Sequence, residues 1–311
     1  MQSREVAEEE LEAAIADGEV VWIDLADPES TVAPLLSDRL QIGSLTVEDC
    51  LLPLRMPKLD HLPEGGAFVG AFAIHLDGGH EPRLRSFAVP LIIGSTYLVT
   101  VRRHPMPDDA APIEAALCGG TDLPEQSGAA LAHAALDALI DRHLPVMLRT
   151  AEVAEELEED LDPGIKNESL LALERLIVLR RDLLAFRRLG VAQQEVVRRL
   201  GRAFPTMREY LADVADNQRE AVETAAATCD YIDGAIESFR VRRDMRTDDG
   251  IRRLTVLAAI IGPLTVLIGL WGVNFPNIPG TEHEWGWSVF VGSQVCFVAL
   301  AAWYVRRRGL L

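Results

Sequence analysis

Residues 251–274 read IRRLTVLAAIIGPLTVLIGLWGVN, and the reading of this stretch decides the fold. From Leu254 to Gly272 no residue carries a charge. About twenty such residues let a helix cross a hydrocarbon core of roughly 30 Å. A second uncharged run, residues 288–305 (SVFVGSQVCFVALAAWYV), follows after a short loop, and Arg306, Arg307 and Arg308 come next. Arg252 and Arg253 stand at the start of the first run. Basic residues bracketing both runs favour a two-span membrane hairpin, with spans at about 254–272 and 288–305, over two buried helices of a soluble core. The connecting residues 273–287 (VNFPNIPGTEHEWGW) hold no Lys or Arg. The positive-inside bias therefore predicts a multi-pass protein with both termini in the cytoplasm and this loop outside. Trp271, Trp285, Trp287, Trp303 and Tyr304 fall near the span ends, where amphipathic rings favour the headgroup layer.

The first span carries an internal pattern. Ile251, Thr255, Ala258, Gly262, Thr265, Gly269 and Gly272 recur at alternating intervals of four and three, so they share one helix face. After Ile251 that face is small or weakly polar, while the rest is mostly Leu, Ile and Val. Two arrangements fit. Small residues let helix backbones pack closely, and they also suit the wall of a narrow lumen, which needs hydroxyls and open space. Pro263 removes one backbone hydrogen bond within the span and favours a bend there.

The end of the stripe adds a motif. Leu254-Thr255, Pro263-Leu264-Thr265, Gly269 and then Gly272-Val273-Asn274-Phe275 resemble the first transmembrane helix and signature of the CorA superfamily of divalent-cation channels and transporters. That family's usual tripeptide is Gly-Met-Asn, and here Val273 takes the middle place. The likeness continues upstream. Trp22-Ile23-Asp24 resembles the family's first strand. The stretches Leu45-Thr46-Val47-Glu48-Asp49-Cys50 and Met56-Pro57-Lys58-Leu59-Asp60 resemble the helix and Pro-Lys pair before its central strands. The resemblance implies a funnel-shaped homopentamer in which Gly272, Val273 and Asn274 form an outer selectivity filter. It also implies that Ile251, Leu254, Thr255, Ala258, Gly262, Thr265 and Gly269 line the pore, with Ile251 and Leu254 at a hydrophobic constriction that gates by dewetting.

The remainder of the chain is an α+β assembly. Its 311 residues are 49% hydrophobic and carry a formal net charge of −18 with a pI near 4.8. Such acidity disfavours nucleic acid and anionic membrane surfaces as partners of the bulk of the chain, and suits a domain that gathers cations as well as plain solubility. The opening MQSREVAEEELEAAI has no apolar core of a signal peptide, so the N-terminal part is expected to stay in the cytosol of an inner- or plasma-membrane protein. Cys50, Cys118, Cys229 and Cys296 form no paired motif and read as reduced thiols. Residues 1–127 read as a cytoplasmic α/β domain. Residues 20–25, 67–76, 83–89, 91–93 and 96–102 are its β-rich runs, with turn chemistry at Asp77-Gly78-Gly79 and Gly94-Ser95.

Residues 128–250 read as a helical stalk, and 251–311 as the transmembrane domain. Leu136, Leu139, Ile140, Leu144, Met147, Leu148, Val153 and Leu157 keep helical spacing, and Pro145 is expected to kink or divide that helix. A second helix is expected to stop at Gly201. A third begins near Pro205-Thr206 with no clear stop before the membrane. At 1.5 Å per residue it approaches about 100 Å, and a helix of that length needs partners along it. The acidic block from Glu152 to Asp162 and the arginines from Arg175 to Arg199 read first as solvated faces with weak exposed ion pairs, with a cation-binding belt at the acidic block as the alternative.

The chemistry expected is transport without covalent catalysis or a covalent cofactor. No nucleophile–base pair, nucleotide loop or closed metal-ligand set is legible, so an enzyme is disfavoured. Mg²⁺ holds its first water shell tightly and prefers oxygen. Neutral amide oxygens, one Asn274 per subunit around an axis, would bind the hydrated ion without trapping it. Glu282 and Glu284 in the outer loop would raise the local cation concentration. By resemblance, Asp77 and Asp230 match the family's regulatory carboxylates, where a bound divalent cation holds a closed state. His75 and His80 flank Asp77, and two readings fit them: a plain hairpin tip first, and a transition-metal cluster second. Where many Mg²⁺ members have Pro-Glu-Leu after the signature, this chain has Ile278-Pro279-Gly280, closer to the ZntB-type zinc branch, and His283 suits Zn²⁺. Two rivals to a Mg²⁺ (Co²⁺/Ni²⁺) channel therefore stand: a Zn²⁺ transporter, with proton coupling as an option, and a membrane-tethered helical scaffold.

Overall fold

The computed structural model describes residues 17–26, 36–37, 40, 42–62, 65–79, 81–102, 107, 112–118, 125–161, 166–272 and 285–307. Along the chain these form β1 (Val21–Ala26), α1 (Ser44–Leu51), β2 (Lys58–His61), β3 (Ala67–Asp77), β4 (Arg83–Ile93), β5 (Tyr97–Arg102) and the short α2 (Ile113–Cys118). The helices α3 (Gly128–Asp141), α4 (His143–Glu159), α5 (Lys166–Ala203), α6 (Arg208–Gly272) and α7 (Gly286–Arg307) follow. The chain divides into two compact units, Met1–Ile236 and Glu237–Leu311.

The first unit is built on a sheet of order β1-β5-β4-β3-β2, with β1 parallel to β5 and the other pairs antiparallel. Both faces of its centre are covered. Ala67, Val69, Ala71 and Ala73 of β3, with Val89, Leu91 and Ile93 of β4, join residues of α3, α5 and α6 in one core. Phe68, Ile92, Val99 and Val101 point the other way and pack with Val47 and Cys50 of α1. Double coverage explains why β3 reads as a nearly continuous apolar run. The stretches read as 83–89 and 91–93 are one strand passing through Pro90. The ladder to β5 reaches only Leu91, so Pro90 lies where that flank of β4 is already unpaired, a place that tolerates a residue without N–H.

Polar residues in these strands have local partners. Trp22 Nε1 donates to Thr100 Oγ1 at 3.0 Å, and that hydroxyl donates to Asp24 at 2.6 Å, so the Trp-Ile-Asp run ties β1 to β5. Arg102 closes on the same carboxylate. Lys58 bridges Asp49 of α1 and Asp60 of β2, its ammonium 5.1 Å from the Phe68 ring centre. At the turn between β4 and β5, a Cβ on Gly94 would meet the Tyr97 ring at 2.2 Å. One on Gly128, where α3 starts, would meet the Gly94 carbonyl at 2.2 Å; that backbone clash demands glycine at 128, whereas at 94 the Tyr97 ring would have to move.

Pro145 divides its helix as expected, the break falling at Arg142 between α3 and α4. Gly201, by contrast, does not stop α5, which runs on to Ala203. A Cβ there would meet only ordinary contacts with Leu211 and Arg208, and a single glycine costs a packed helix only about 1 kcal/mol. The stop comes at Phe204, held out of the helical region by Pro205. A 3-10 turn over Pro205–Met207 then leads into α6, whose 65 residues continue through Gly234, Gly250 and Pro263.

The edge of β3 beyond β2 is closed by a side chain. Pairing with β2 ends at Gly70, leaving the Phe72 backbone without a strand neighbour on that side. The Gln193 amide of α5 takes the place of a strand: its Oε1 accepts from Phe72 N at 2.7 Å and its Nε2 donates to Phe72 O at 3.3 Å. Unpaired backbone groups buried at a sheet edge would otherwise be costly.

Candidate conduction stripe and cation-sensing carboxylates

The expected stripe residues all lie on α6. Ile251 and Leu254 are 58% and 67% exposed. Thr255, Ala258, Gly262, Thr265 and Gly269 are exposed too. Cβ atoms added at Gly262 or Gly269 would meet nothing within 4 Å. Thr255 Oγ1 donates to the Ile251 carbonyl at 2.8 Å, and Thr265 Oγ1 to the Ile261 carbonyl at 2.9 Å. A hydroxyl whose proton is committed to its own helix offers only lone pairs outward. Such a face can accept hydrogen bonds from the waters of a hydrated cation and gives nothing that repels positive charge. Helix α6 is continuous through Pro263, whose missing N–H leaves the Ala259 carbonyl without its helical donor.

The rest of this segment is apolar: Leu257, Ile261, Val266 and Ile268 are each more than half exposed, and Val256, Ile260 and Leu264 are partly buried. Helix α7 is the one described helix long and apolar enough to cross a membrane, with mean hydropathy 1.7 and almost none of its apolar stretch buried. A core helix of a soluble protein would be mostly buried. At the ends of α7 stand the exposed Trp285, Trp287, Trp303 and Tyr304, and Arg307 lies over the Trp303 ring at 5.1 Å. Amphipathic rings and arginines at helix ends fit a headgroup layer. Gly272 closes α6. Val273, Asn274, Glu282, His283, Glu284 and His80 lie outside the described residues.

Asp77 ends β3 opposite Arg83. Its carboxylate is 2.5 Å from Arg85 Nε and 3.7 Å from His75 Nε2. It borders a cleft of about 510 Å³ between the β3–β4 tip and α4, where Arg142, Arg149, Glu156 and Asp160 mix both signs of charge. Asp230 is exposed on α6. Its neighbours fasten that helix: Tyr231 donates to Glu158 of α4, and Asp233 pairs with Arg180 of α5 at 2.5 Å. The Tyr231 phenol is pushed up to about 12, first by its hydrogen bond to Glu158 and then by burial.

A carboxylate group that the sequence reading passed over lies between α3 and α6. Burial, then the charges of Asp141 and Asp213, push the Asp137 carboxyl up to about 6. Burial also pushes the His133 imidazole down. Asn217 Nδ2 donates to Asp141 at 3.0 Å, and the His133 and Tyr210 rings meet edge-on at 5.5 Å. The signal was present in the sequence: His133, Asp137 and Asp141 recur every four residues, as do Asp213 and Asn217. Among the described residues of one chain, no three His, Cys, Asp or Glu side chains converge as a metal-ligand set.

An α/β unit, a long helix whose small-residue face is exposed among the described residues, and a second exposed apolar helix fit an integral membrane protein. A family model described as CorA-like Mg2+ transporter protein matches residues 17–307, and the chain belongs to that family. It is thus a metal ion transporter of the CorA family, whose members are channels and transporters and not enzymes. It is 25% identical over 297 residues to YfjQ of Bacillus subtilis (strain 168), covering 92% of this chain and 88% of that one. Identity to the cobalt/magnesium transport protein CorA of Thermotoga maritima is 24% over 183 residues, 57% of this chain and 51% of that one. To the zinc transport protein ZntB of Yersinia pseudotuberculosis it is 28% over 169 residues, 51% of each. The fold is that of the CorA magnesium transporter of Methanocaldococcus jannaschii, with TM-score 0.80 at 17% identity over 93% of this chain and 91% of that one.

Proposed function

We propose that the protein carries hydrated divalent cations, Mg²⁺ first, through a pore formed by several copies of α6. The observation that carries this reading is the stripe: an uncovered helix face of small residues and threonines whose hydroxyl protons are turned inward. In this reading the membrane domain is a two-span hairpin with both termini in the cytoplasm, and a homopentamer surrounds the axis. The outer ends of the α6 copies supply the filter, where Asn274 oxygens and backbone at Gly272 and Val273 meet ions that keep their water. Glu282 and Glu284 concentrate cations above it, and Ile251 and Leu254 form the dewetting neck below. Asp77, Asp230 and the Asp137–Asp141–Asp213 group face the cytosol. Empty carboxylates repel one another, and a bound cation bridges them and favours a closed pathway. Cation is then both substrate and regulator.

A Zn²⁺ transporter is the second reading. It is favoured by the ZntB relatives and by Ile278-Pro279-Gly280 in place of Pro-Glu-Leu. A tethered scaffold requires no flux at all. Full-chain protein in liposomes separates the three. The Mg²⁺ channel gives Mg²⁺ influx set by membrane potential, abolished by Asn274→Ala with assembly intact. Zn²⁺ uptake that follows a pH gradient supports the second reading, and no cation flux supports the third.

A further inference from the structure

We propose that Gln218, together with His143 and Gln193, is a positioning residue for α6: a buried polar junction that holds the helix in one register against β3 and exchanges hydrogen bonds when the helix moves in gating. The inference rests on the reading of α6 as the pore helix.

His143 of α4, Gln193 of α5 and Gln218 of α6 are 1%, 1% and 0% exposed, and they converge on Phe72 of β3. The His143 ring presents Nδ1 to Gln218 Oε1 at 2.8 Å and Nε2 to the Phe72 carbonyl at 3.2 Å. Both partners are acceptors. Burial keeps the ring neutral, its pKa pushed down to about 4, so it has one N–H for two acceptors. Gln193 Nε2 lies 3.4 Å from Gln218 Oε1, while Gln218 Nε2 has no hydrogen-bond partner. Turning the Gln218 amide over would give Nε2 to His143 Nδ1 and free the ring's N–H for Phe72. It would also set Oε1 where Nε2 stood and remove the contact with Gln193. Each pattern leaves one end of the same amide unmet by the protein's own groups.

The surroundings give no reason for an amide on grounds of stability. The Phe186 ring packs edge-on against His143 at 5.5 Å. A Cβ on Gly190 would stand 2.5 Å from Val222 and 2.7 Å from Gln218 Nε2, so α5 and α6 press together here. An apolar side chain of the same length would exchange the orphaned amide nitrogen for an orphaned His143 Nδ1, so the number of unmet groups would not rise. Buried polar residues retained in such places are best attested as register devices. Two hydrogen-bond patterns of similar standing, on a helix clamped this tightly, make a two-state element. Gln218 and the stripe from Ile251 to Gly269 lie on the same unbroken helix.

The test uses Gln218→Met and His143→Met in the full chain, reconstituted in liposomes, with Mg²⁺ or Zn²⁺ as the probe, whichever the wild type carries. Thermal unfolding and the cytosolic-side cation concentration that halves flux are both measured. The expected result is that Gln218→Met melts no lower than wild type while its half-closing concentration shifts about fivefold or more, the low end of ordinary coupling factors. His143→Met shifts it in the same direction. Variants that close like wild type overturn the inference alone. So does a Gln218→Met chain that fails to assemble, since the junction would then hold up the fold instead of setting a register. A wild type that carries neither ion, or carries one without responding to cytosolic cation, removes the functional reading and this inference with it.

Discussion

Asp137 and His143 set opposite pH slopes on the stability of the α/β unit. Burial raises Asp137 from its usual 3.8 to about 6. The unfolded chain therefore ionises first as pH rises, and this carboxyl's contribution, full below pH 3.8, is lost as pH passes 6. His143 is lowered from 6.5 to about 4, so the unfolded chain takes the proton first as pH falls. Its contribution is full above pH 6.5 and gone near 4. Asp137→Asn removes only the first slope. Its melting temperature should exceed that of wild type at pH 7, and the difference should vanish near pH 4; a constant offset would contradict the shift. Thr255→Val and Thr265→Val test the stripe at the same scale. Each removes an outward lone pair whose hydroxyl proton serves only its own helix. Assembly should be unchanged, and flux should fall about tenfold per site, as for one lost hydrogen bond. The threonines were legible as a stripe in the sequence, but the inward turn of their protons was not, because it depends on rotamer. Asp137 was missed for a related reason. Its pattern was visible, but its burial against Asp213, far along the chain, was not.

Strands and helices were legible where pattern and punctuation agreed. Pro145 divided a helix, and the third long helix began close to Pro205-Thr206. The reading failed where packing overrode a local signal: Gly201 lies inside α5 and Pro90 inside β4. Two glycines show the difference directly. Gly190→Ala drives a methyl to 2.5 Å from Val222 and should cost about 1–3 kcal/mol as overpacking. Gly234→Ala meets nothing within 4 Å and should add about 1 kcal/mol through helix propensity. Denaturant unfolding of the two variants checks both signs, and equal effects would mean that propensity alone governs these helices.

At the scale of the whole molecule, the family and the apolar C-terminal run were legible from residues 251–308. The conduit was not, because in the proposed reading several copies of α6 are needed to build it. Leu254, Leu257, Val266 and Ile268 are all more than half exposed, while Val256, Ile260 and Leu264 are partly buried. In that reading, other copies and lipid divide the exposed faces between them. Native mass spectrometry of the detergent-solubilised protein should give five times 34.1 kDa, and a monomer would leave the stripe without an axis to face. The most direct test is a cysteine scan from Leu254 to Gly269 in a chain whose four natural cysteines are replaced, reading block of cation flux by a small water-soluble thiol reagent. The account predicts block at Thr255, Ala258, Gly262, Thr265 and Gly269 and none at Leu257, Ile261 and Ile268. Block spread evenly around the helix, or confined to the leucine and isoleucine faces, would contradict it.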